Sequence, residues 1–255
     1  MTATFPIDPV HTAVLSLDCQ TGIVSIYAKD DKDAFLTRAA SVLNHARVSG
    51  MTIIHVQVGF RPGLPEVSPR NILFGAIKSS VQHQKLFQEP LGAIPSIIAP
   101  KEDEIVITKH RISAFTGTDL AMILRANDID TLVLYGVSTG GVVLSTLLEA
   151  ADADFRLVVI GDCCADLDVQ VHDCLINKLF PLAHWCCPLG NSSKPDKFAR
   201  IWVPLRVQKF VYGESETLTR SSIIQKAQQS RQSPSYQFKV LRYLCPFMMA
   251  VTAQA

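Results

Sequence analysis

Two charged residues stand where strand-like apolar runs end, and together they could perform acid–base chemistry. Asp18 ends the run TAVLSLD at 12–18, and Lys109 ends the run EIVITK at 104–109. If both runs are strands of one parallel sheet, their carboxyl ends share an edge, where an acid and a lysine can pair and alter each other's proton affinity. A carboxyl group partly enclosed there can serve as a general acid or base. Taken singly, such an aspartate is also typical of a turn or helix N-cap, and such a lysine of a solvated strand end.

A third candidate is the segment YGVSTGGVVLST at 135–146, which is typical of a strand, a glycine-containing turn and a helix. Free backbone N–H groups at such a helix start, with close approach allowed by Gly140 and Gly141, can hold an anion or a developing oxyanion. An ordinary tight turn is the alternative. The glycines match neither a phosphate-binding loop nor the three-glycine dinucleotide fingerprint. Nucleotide binding is therefore disfavoured, and no cofactor is expected.

Apolar runs rich in β-branched residues alternate with segments of helical periodicity along the first 180 residues. The predicted strands cover 12–18, 51–58, 104–109, 131–137 and 155–162. The predicted helices cover 33–50, 118–128, 142–153 and 168–180. Strands that are apolar throughout are buried on both faces, which indicates a parallel sheet between two layers of helices. We therefore predict a three-layer α/β fold with a doubly wound, mainly parallel sheet, whose ligands bind beyond the carboxyl ends of the strands.

The chain divides into two parts by pattern and by charge. Residues 1–180 carry 14 Lys and Arg against 20 Asp and Glu, whereas residues 181–255 carry 10 against 3. Within the first part, the connection at 59–103 is long, and its interspersed Phe, Leu and Ile favour a packed lid over a linker. After Phe180 the alternation of strands and helices stops. We predict a globular α/β domain at 1–180 and a divergent, basic, poorly packed and irregular tail at 181–255.

The composition excludes several classes of protein. Apolar residues make up 48% of the 255 residues and charged residues 18%, which is typical of a globular chain. The formal net charge of +1 gives no basis for a nucleic-acid or membrane partner. Seven cysteines, an odd number, occur without a secretory signal, so we expect reduced thiols and a cytoplasmic protein. No apolar run reaches the roughly 18 residues that span a bilayer.

Three blocks of the sequence together resemble the characteristic blocks of the isochorismatase-like hydrolase superfamily. They are LSLDCQTGI (15–23), VITKHRISAFTGTDL (106–120) and LYGVSTGGVVLSTLLEAADADFRLVVIGDCCAD (134–166). The similarity covers about residues 10–180 and implies a parallel sheet flanked by helices. In the cysteine hydrolases of the superfamily it also implies an Asp-Lys-Cys triad, of which Asp18 and Lys109 match the first two members. A cis peptide bond at Val137–Ser138, which shapes the oxyanion hole, is implied as well.

The third member of the triad is absent, because Val142 stands at the position of the nucleophilic cysteine. Amidase chemistry of the nicotinamidase or carbamoylsarcosine-hydrolase kind needs a thiolate that forms an acyl intermediate. We therefore expect that chemistry to be missing, unless Cys19 or Cys163 replaces the lost thiol. The metal site of nicotinamidases also has no counterpart, since the second strand's exit reads HVQVGFRP without an acid and paired histidines. No metal is expected.

Isochorismatases, as the resemblance implies, act without the cysteine, because hydrolysis of a vinyl ether needs a proton donor and water rather than an acyl-enzyme. On this interpretation Asp18 donates a proton to a small carboxylate or carbonyl metabolite, and Lys109 positions Asp18. The turn holds a substrate oxygen through the residues Val137, Ser138, Thr139, Gly140 and Gly141. Arg70 could pair with a substrate carboxylate, and Phe115 could wall the pocket. A surface arginine and a core phenylalanine are the alternatives for these two residues.

A second class of function is a non-catalytic family member that binds a small molecule or a partner through the same pocket or the basic tail. The resemblance also implies a last strand after the phrase LFP at 179–181, where this chain reads LAHWCC. A missing edge strand would expose the backbone of its neighbour. Homo-oligomers are common in the superfamily, and we expect one here.

Overall fold

The computed structural model describes residues 7–183 and 185–187, with side chains for residues 7–181. The described residues form one sheet of six parallel strands in the order β3-β2-β1-β4-β5-β6. The strands are β1 (Thr12–Leu17), β2 (Thr52–Val58), β3 (Ile105–Lys109), β4 (Thr131–Val137), β5 (Arg156–Ala165) and β6 (Trp185–Cys187). The chain runs outward from β1 to β3, returns to place β4 beside β1 and continues to β6, which makes the sheet doubly wound. The predicted fold class is confirmed.

Helices connect the strands and cover the sheet. In the described part of the chain they are α1 (Thr21–Tyr27), α2 (Lys32–Ser49), α3 (Ile72–Lys78), α4 (Val81–Lys85), α5 (Leu120–Ala126), α6 (Leu144–Asp152), α7 (Val169–Cys174) and α8 (Phe180–Ala183). A π-helical turn at Thr139–Val143 leads into α6, and another at Leu175–Leu179 joins α7 to α8. Within residues 7–183, no helix is both long and apolar enough to cross a membrane.

Burial along the strands follows from their places in the sheet. Every residue of β1 and of β4 is buried, which explains why both strands are almost entirely apolar. β3 lies at the edge of the sheet, and its burial alternates: Ile107 and Lys109 are buried, whereas Val106 is 45% exposed. Because successive side chains point to opposite faces of a strand, Lys109 shares the buried face of Ile107. A lysine at this position is directed into the protein and not into solvent.

The structure adds helices that the sequence analysis did not predict. α1 follows the end of β1 after three residues, and its seven residues TGIVSIY are too few for periodicity to establish a helix. The connection at 59–103 contains α3 and α4. It packs around a small cluster of its own, formed by Leu64, Val67 and Phe74. The expectation that this connection is packed is confirmed, whereas its action as a lid stays a prediction.

One expectation about the edge of the sheet is wrong. Sequence analysis found no strand after LFP, yet the backbone of Trp185–Cys187 forms β6 and pairs with Val158–Ile160 of β5. Three residues are too few to show the period of a strand, so the pairing could not be predicted from the pattern. The division of the chain at residue 180 stays a prediction, since residues 188–255 lie outside the described residues.

Candidate active site

The acid and the lysine singled out in the sequence are in contact at the carboxyl edge of the sheet. Lys109 is the last residue of β3 and Asp18 follows the last residue of β1, with β2 between the two strands. The Lys109 Nζ atom lies 2.8 Å from Asp18 Oδ2, and only 2% of the lysine side chain and 10% of the aspartate side chain are exposed. Solvent screens so enclosed an ion pair only weakly, so the lysine charge acts strongly on the protonation of the Asp18 carboxyl group.

The backbone turns Asp18 out of the strand. Its φ of +53° is left-handed, a conformation that aspartate adopts more readily than most residues. Its N–H donates to Val56 O of β2 at 2.8 Å, which fixes the turn to the sheet. Its Oδ1 atom is buried and has no hydrogen-bond partner among the described residues. One carboxylate oxygen therefore holds the lysine, and the second is left without a partner among the described residues.

The surroundings of the pair set its proton affinity. Burial raises the pKa of Asp18 to about 6, although the charge and the hydrogen bond of Lys109 act to lower it. The Lys109 ammonium also donates to Arg111 O at 3.0 Å, so its position does not depend on the aspartate alone. A carboxyl group that titrates near neutral pH is present in both protonation states, as a general acid or base must be.

Gln20, which the sequence analysis did not single out, connects the start of α1 to the neighbouring elements. Its Oε1 accepts from Val58 N–H at 2.9 Å, and its Nε2 donates to Val58 O at 3.0 Å. Nε2 also donates to Gly92 O at 2.8 Å, in the connection at 59–103. Because all three bonds are made by one buried amide two residues after Asp18, they hold the acid against β2 and the connection.

The turn after β4 is built for close approach of the backbone. The peptide bond Val137–Ser138 is cis, as the resemblance predicts. Gly136 has a φ of +146°, and a Cβ atom there would collide with Leu17 O of β1, so a side chain at this position is not compatible with the sheet. At Gly141 a Cβ atom would come within 2.5 Å of Ser138 Oγ. The two glycines therefore allow β1, the cis bond and the following helical turn to pack together.

Two side chains beyond β5 hold this turn, and sequence analysis singled out neither. Asp166 Oδ2 accepts from Gly140 N–H at 2.7 Å. Thr139 Oγ1 lies 2.8 Å from His172 Nδ1, on α7. Gly140 N–H is therefore already engaged by a carboxylate, and the binding of a substrate oxygen by this turn stays a prediction. Asp166 could have been noticed, since it directly follows a buried strand as Asp18 does.

Tyr27, the last residue of α1, lies close enough to Ser138 and Asp18 for both to act on its hydroxyl. Its hydroxyl interacts with the side chain of Ser138. Burial raises the pKa of Tyr27, and the nearby negative charges of Asp166 and Asp18 raise it further. The phenol therefore stays protonated at neutral pH and can donate a hydrogen bond. Sequence analysis missed Tyr27 because it missed α1.

The residue that the resemblance places at the position of the family's nucleophile is apolar and enclosed. Val142 is 3% exposed in the helical turn that leads into α6. Cys19 and Cys163 are also buried, and burial raises the pKa of each thiol to about 12. A thiol of that pKa is almost entirely protonated at neutral pH and is a poor nucleophile. Neither cysteine is suited to replace the missing thiolate.

Two predicted site residues stand apart from these contacts. Phe115 is 9% exposed, and its ring packs against Phe155 with centroids 6.1 Å apart, as a core side chain does. Arg70 is exposed just before α3, where its backbone N–H donates to Ser68 Oγ at 3.2 Å. Binding roles for both residues stay predictions. Over residues 7–181, no group of three or more His, Cys, Asp or Glu side chains is arranged to hold a metal ion.

A doubly wound parallel sheet with a buried acid–lysine pair at its carboxyl edge is an α/β fold with a candidate acid–base site where such folds bind ligands. Comparison with known families identifies the family, because the model of the Isochorismatase domain matches residues 12–189. This chain belongs to the isochorismatase family of hydrolases. The resemblance noted in the sequence is confirmed.

Individual relatives support the assignment to the family. Maleamate amidohydrolase of Pseudomonas putida is 31% identical over 140 residues, which cover 55% of this chain and 64% of that protein. YecD, an uncharacterized isochorismatase family protein of Escherichia coli O157:H7, is 30% identical over 171 residues, which cover 67% of this chain and 88% of that protein. The solved structure of an isochorismatase family protein from Burkholderia thailandensis shares the fold, with a TM-score of 0.60 at 23% identity over 72% of this chain and 94% of that one.

Proposed function

We propose that this chain hydrolyses a small carboxylated vinyl ether, of which isochorismate is an example, with Asp18 as general acid and without an acyl-enzyme. The observation that carries the proposal is the buried pair in which Lys109 Nζ lies 2.8 Å from Asp18 Oδ2. The second oxygen, Oδ1, has no partner among the described residues and can carry the transferred proton. A pKa of about 6 suits a group that must give up a proton and regain it.

The chemistry needs one proton donor and one water molecule. Asp18 transfers its proton to the terminal carbon of the vinyl ether, and the electron pair of the double bond forms the new C–H bond. Water adds to the resulting oxocarbenium ion, and the hemiketal then loses the alcohol to give a keto acid, which is pyruvate for isochorismate. The proton released from the water returns to Asp18. The charge and the hydrogen bond of Lys109 stabilise the carboxylate form of Asp18.

Amides are the rival substrates, because the relative from Pseudomonas putida is named an amidohydrolase. An acyl-enzyme mechanism requires a nucleophile, and Val142 supplies none. The high pKa values of the buried Cys19 and Cys163 argue against a substitute thiolate. Acid-catalysed hydrolysis of a vinyl ether uses the acid–lysine pair and needs no thiol, so it agrees better with the groups at this site.

A panel of vinyl ethers, amides and ureides tests the proposal, with product identified by mass spectrometry. We expect turnover of a vinyl ether and release of its keto acid. Asp18→Asn should lower kcat/KM by about 10²- to 10⁴-fold with the fold retained, since the general acid is lost. Asp103→Asn, at an exposed position, is the matched control and should leave the rate unchanged.

Two results would contradict the proposal. The first is a measurable hydrolysis of an amide, if treatment with iodoacetamide abolishes that hydrolysis. This assay uses the Cys174→Ser variant, because the exposed thiol of Cys174 would itself react with iodoacetamide. The second is a panel compound that binds without being turned over and whose affinity is the same in Asp18→Asn. That result would favour a non-catalytic binding protein.

A further inference from the structure

We propose that a cavity in the connection at 59–103 is a binding site for the carboxylate of a small planar acid, and that Arg61 recognises the carboxylate. The cavity has a volume of about 280 Å³. Residues 60–64, which follow β2, line one side, and Gln84, Phe87 and Gln88, at and after the end of α4, line the other. This volume is near the lower end of ligand pockets, about 300–1,000 Å³, and it suits a molecule of metabolite size. The site goes beyond the reaction proposed above and does not depend on it.

Two phenylalanine rings line the cavity, and one of them packs against a buried apolar cluster. The rings of Phe60 and Phe87 have centroids 5.3 Å apart and meet at 86°. Phe60 also packs edge-on against Phe74, with centroids 5.9 Å apart, and Phe74 belongs to the buried cluster that includes Leu64. Ring faces and edges fixed in this way favour a flat apolar group over a branched or strongly polar one.

The charge in the cavity is a guanidinium whose ion pair with Glu66 is long. The Arg61 side chain is 66% exposed, and the carboxylate oxygen paired with it, Glu66 Oε1, lies 3.9 Å from its Nη1 atom. Charge-assisted hydrogen bonds between such groups are about 2.7–2.9 Å long. Glu66 Oε1 instead accepts the backbone N–H of Arg61 at 2.8 Å. Glu66 therefore shapes the loop and leaves the N–H groups of the guanidinium able to bind an external carboxylate in a bidentate manner.

The loop that carries Arg61 is anchored beside the acid–lysine pair. Gly59 N–H donates to Lys109 O at 3.2 Å, and His110 Nδ1 lies 2.6 Å from Gly59 O. The His110 ring also faces Phe60, with centroids 6.3 Å apart, and its Nε2 lies 3.5 Å from Arg61 Nη1. Gly59 follows β2 and His110 follows β3, so these contacts lie at the carboxyl edge of the sheet. A carboxylate bound at Arg61 is therefore held near the edge at which Asp18 lies.

Isothermal titration calorimetry of the full chain with benzoate tests the site by measuring the affinity. Benzamide is the uncharged probe of similar shape. We expect benzoate to bind and benzamide to bind at least about tenfold more weakly, as the loss of a charged hydrogen bond predicts. Arg61→Gln should weaken benzoate binding by a similar factor, and Arg61→Lys by less, because lysine keeps the charge without the fork. Phe87→Ala should weaken both probes, since the wall is lost.

The controls separate this site from others. Arg125→Gln removes an exposed arginine on α5 and should leave binding unchanged. Binding that Arg70→Gln abolishes and Arg61→Gln does not affect would place the carboxylate elsewhere and overturn the proposal. Equal binding of benzoate and benzamide, or no binding of benzoate, would overturn it as well. Asp18→Asn should bind benzoate as the unaltered chain does, so failure of the proposed hydrolysis would not be mistaken for failure of this site.

Discussion

At the scale of single residues, the behaviour of Asp18 results from two opposing influences. Burial removes water from the carboxylate and raises its pKa, whereas Lys109 at 2.8 Å lowers it, and the balance lies at about 6. An exposed aspartate would be ionised throughout the neutral range, and a buried one without the lysine would be protonated. The pair therefore produces an acid that can exchange its proton near neutral pH.

The pH dependence of the reaction follows from this pKa. Since the general acid acts in its protonated form, kcat/KM for a vinyl ether should fall as the pH rises through about 6 and level off below it. Initial rates between pH 4.5 and 8.5 would measure the profile. A rate that rises with pH across this range would mean that Asp18 acts as a base, and the proposed role would be wrong.

Replacement of the lysine separates its electrostatic role from a structural one. In Lys109→Met the opposing charge is gone but the burial of Asp18 remains, so the pKa of Asp18 should rise. The pH at which kcat/KM begins to fall should therefore increase by about one pH unit or more. Measured pH–rate profiles of the variant and the unaltered chain provide the comparison. A lower rate that falls at the same pH as in the unaltered chain would indicate that Lys109 only supports the structure.

At the scale of the elements, a buried ionic cluster joins α2 and β2 to the residue before β3. Glu104 accepts from Arg47 Nε at 2.7 Å and lies 2.9 Å from His55 Nε2. Burial tends to raise the pKa of Glu104, but the hydrogen bonds from Arg47, from Lys101 N–H and from His55 outweigh it and lower the pKa to about 2. The cluster holds the start of the edge strand whose other end carries Lys109.

Loss of this carboxylate should destabilise the fold. Glu104→Gln leaves the Arg47 charge without its partner and should reduce the free energy of unfolding by about 3 kcal/mol. Because the pKa of Glu104 in the folded chain lies below its ordinary value, its contribution is present above about pH 4.5 and is lost as the pH falls toward 2. Urea unfolding at pH 7 measures the difference, with the exposed Glu102→Gln as control. Equal stability of the two variants would show that the cluster adds nothing.

At the scale of the whole molecule, the short strand β6 is the outermost strand beside β5 among the described residues. Its three residues cover part of the backbone of β5, which would otherwise be an open edge able to pair with other chains. The match to the family also extends past this strand, to residue 189. Residues 1–180 carry a net charge of −6 and residues 181–255 a net charge of +7, so the change in charge at the predicted boundary lies close to β6.

Shortened chains test the contribution of β6. A chain that ends at residue 183 should melt at least about 5 °C below a chain that ends at residue 190, which corresponds to roughly 2 kcal/mol at this size. It should also aggregate more readily, because the edge of β5 is uncovered. Thermal melts and light scattering measure the two effects, and identical behaviour of the two chains would refute the role of β6. A homo-oligomer and a cytoplasmic location stay predictions.

The sequence alone indicated the features that depend on local pattern. Apolar runs such as those of β1 and β4 are long and continuous because these strands are buried on both faces, so their type and approximate bounds could be predicted. Asp18 and Lys109 were singled out because each ends such a run, and parallel strands bring their carboxyl ends to one edge. Val142 was recognised as a departure because the surrounding block resembles a known family.

Only the tertiary structure decided which distant groups meet. The contacts of Asp166 with Gly140, of His172 with Thr139 and of Gln20 with β2 depend on strand order and loop path, and no local pattern encodes them. The burial that raises the pKa of Asp18 likewise depends on what covers the strand end. Periodicity reports the environment of an element averaged along its length, whereas a hydrogen bond or a pKa depends on a few atoms brought together from far apart in the chain.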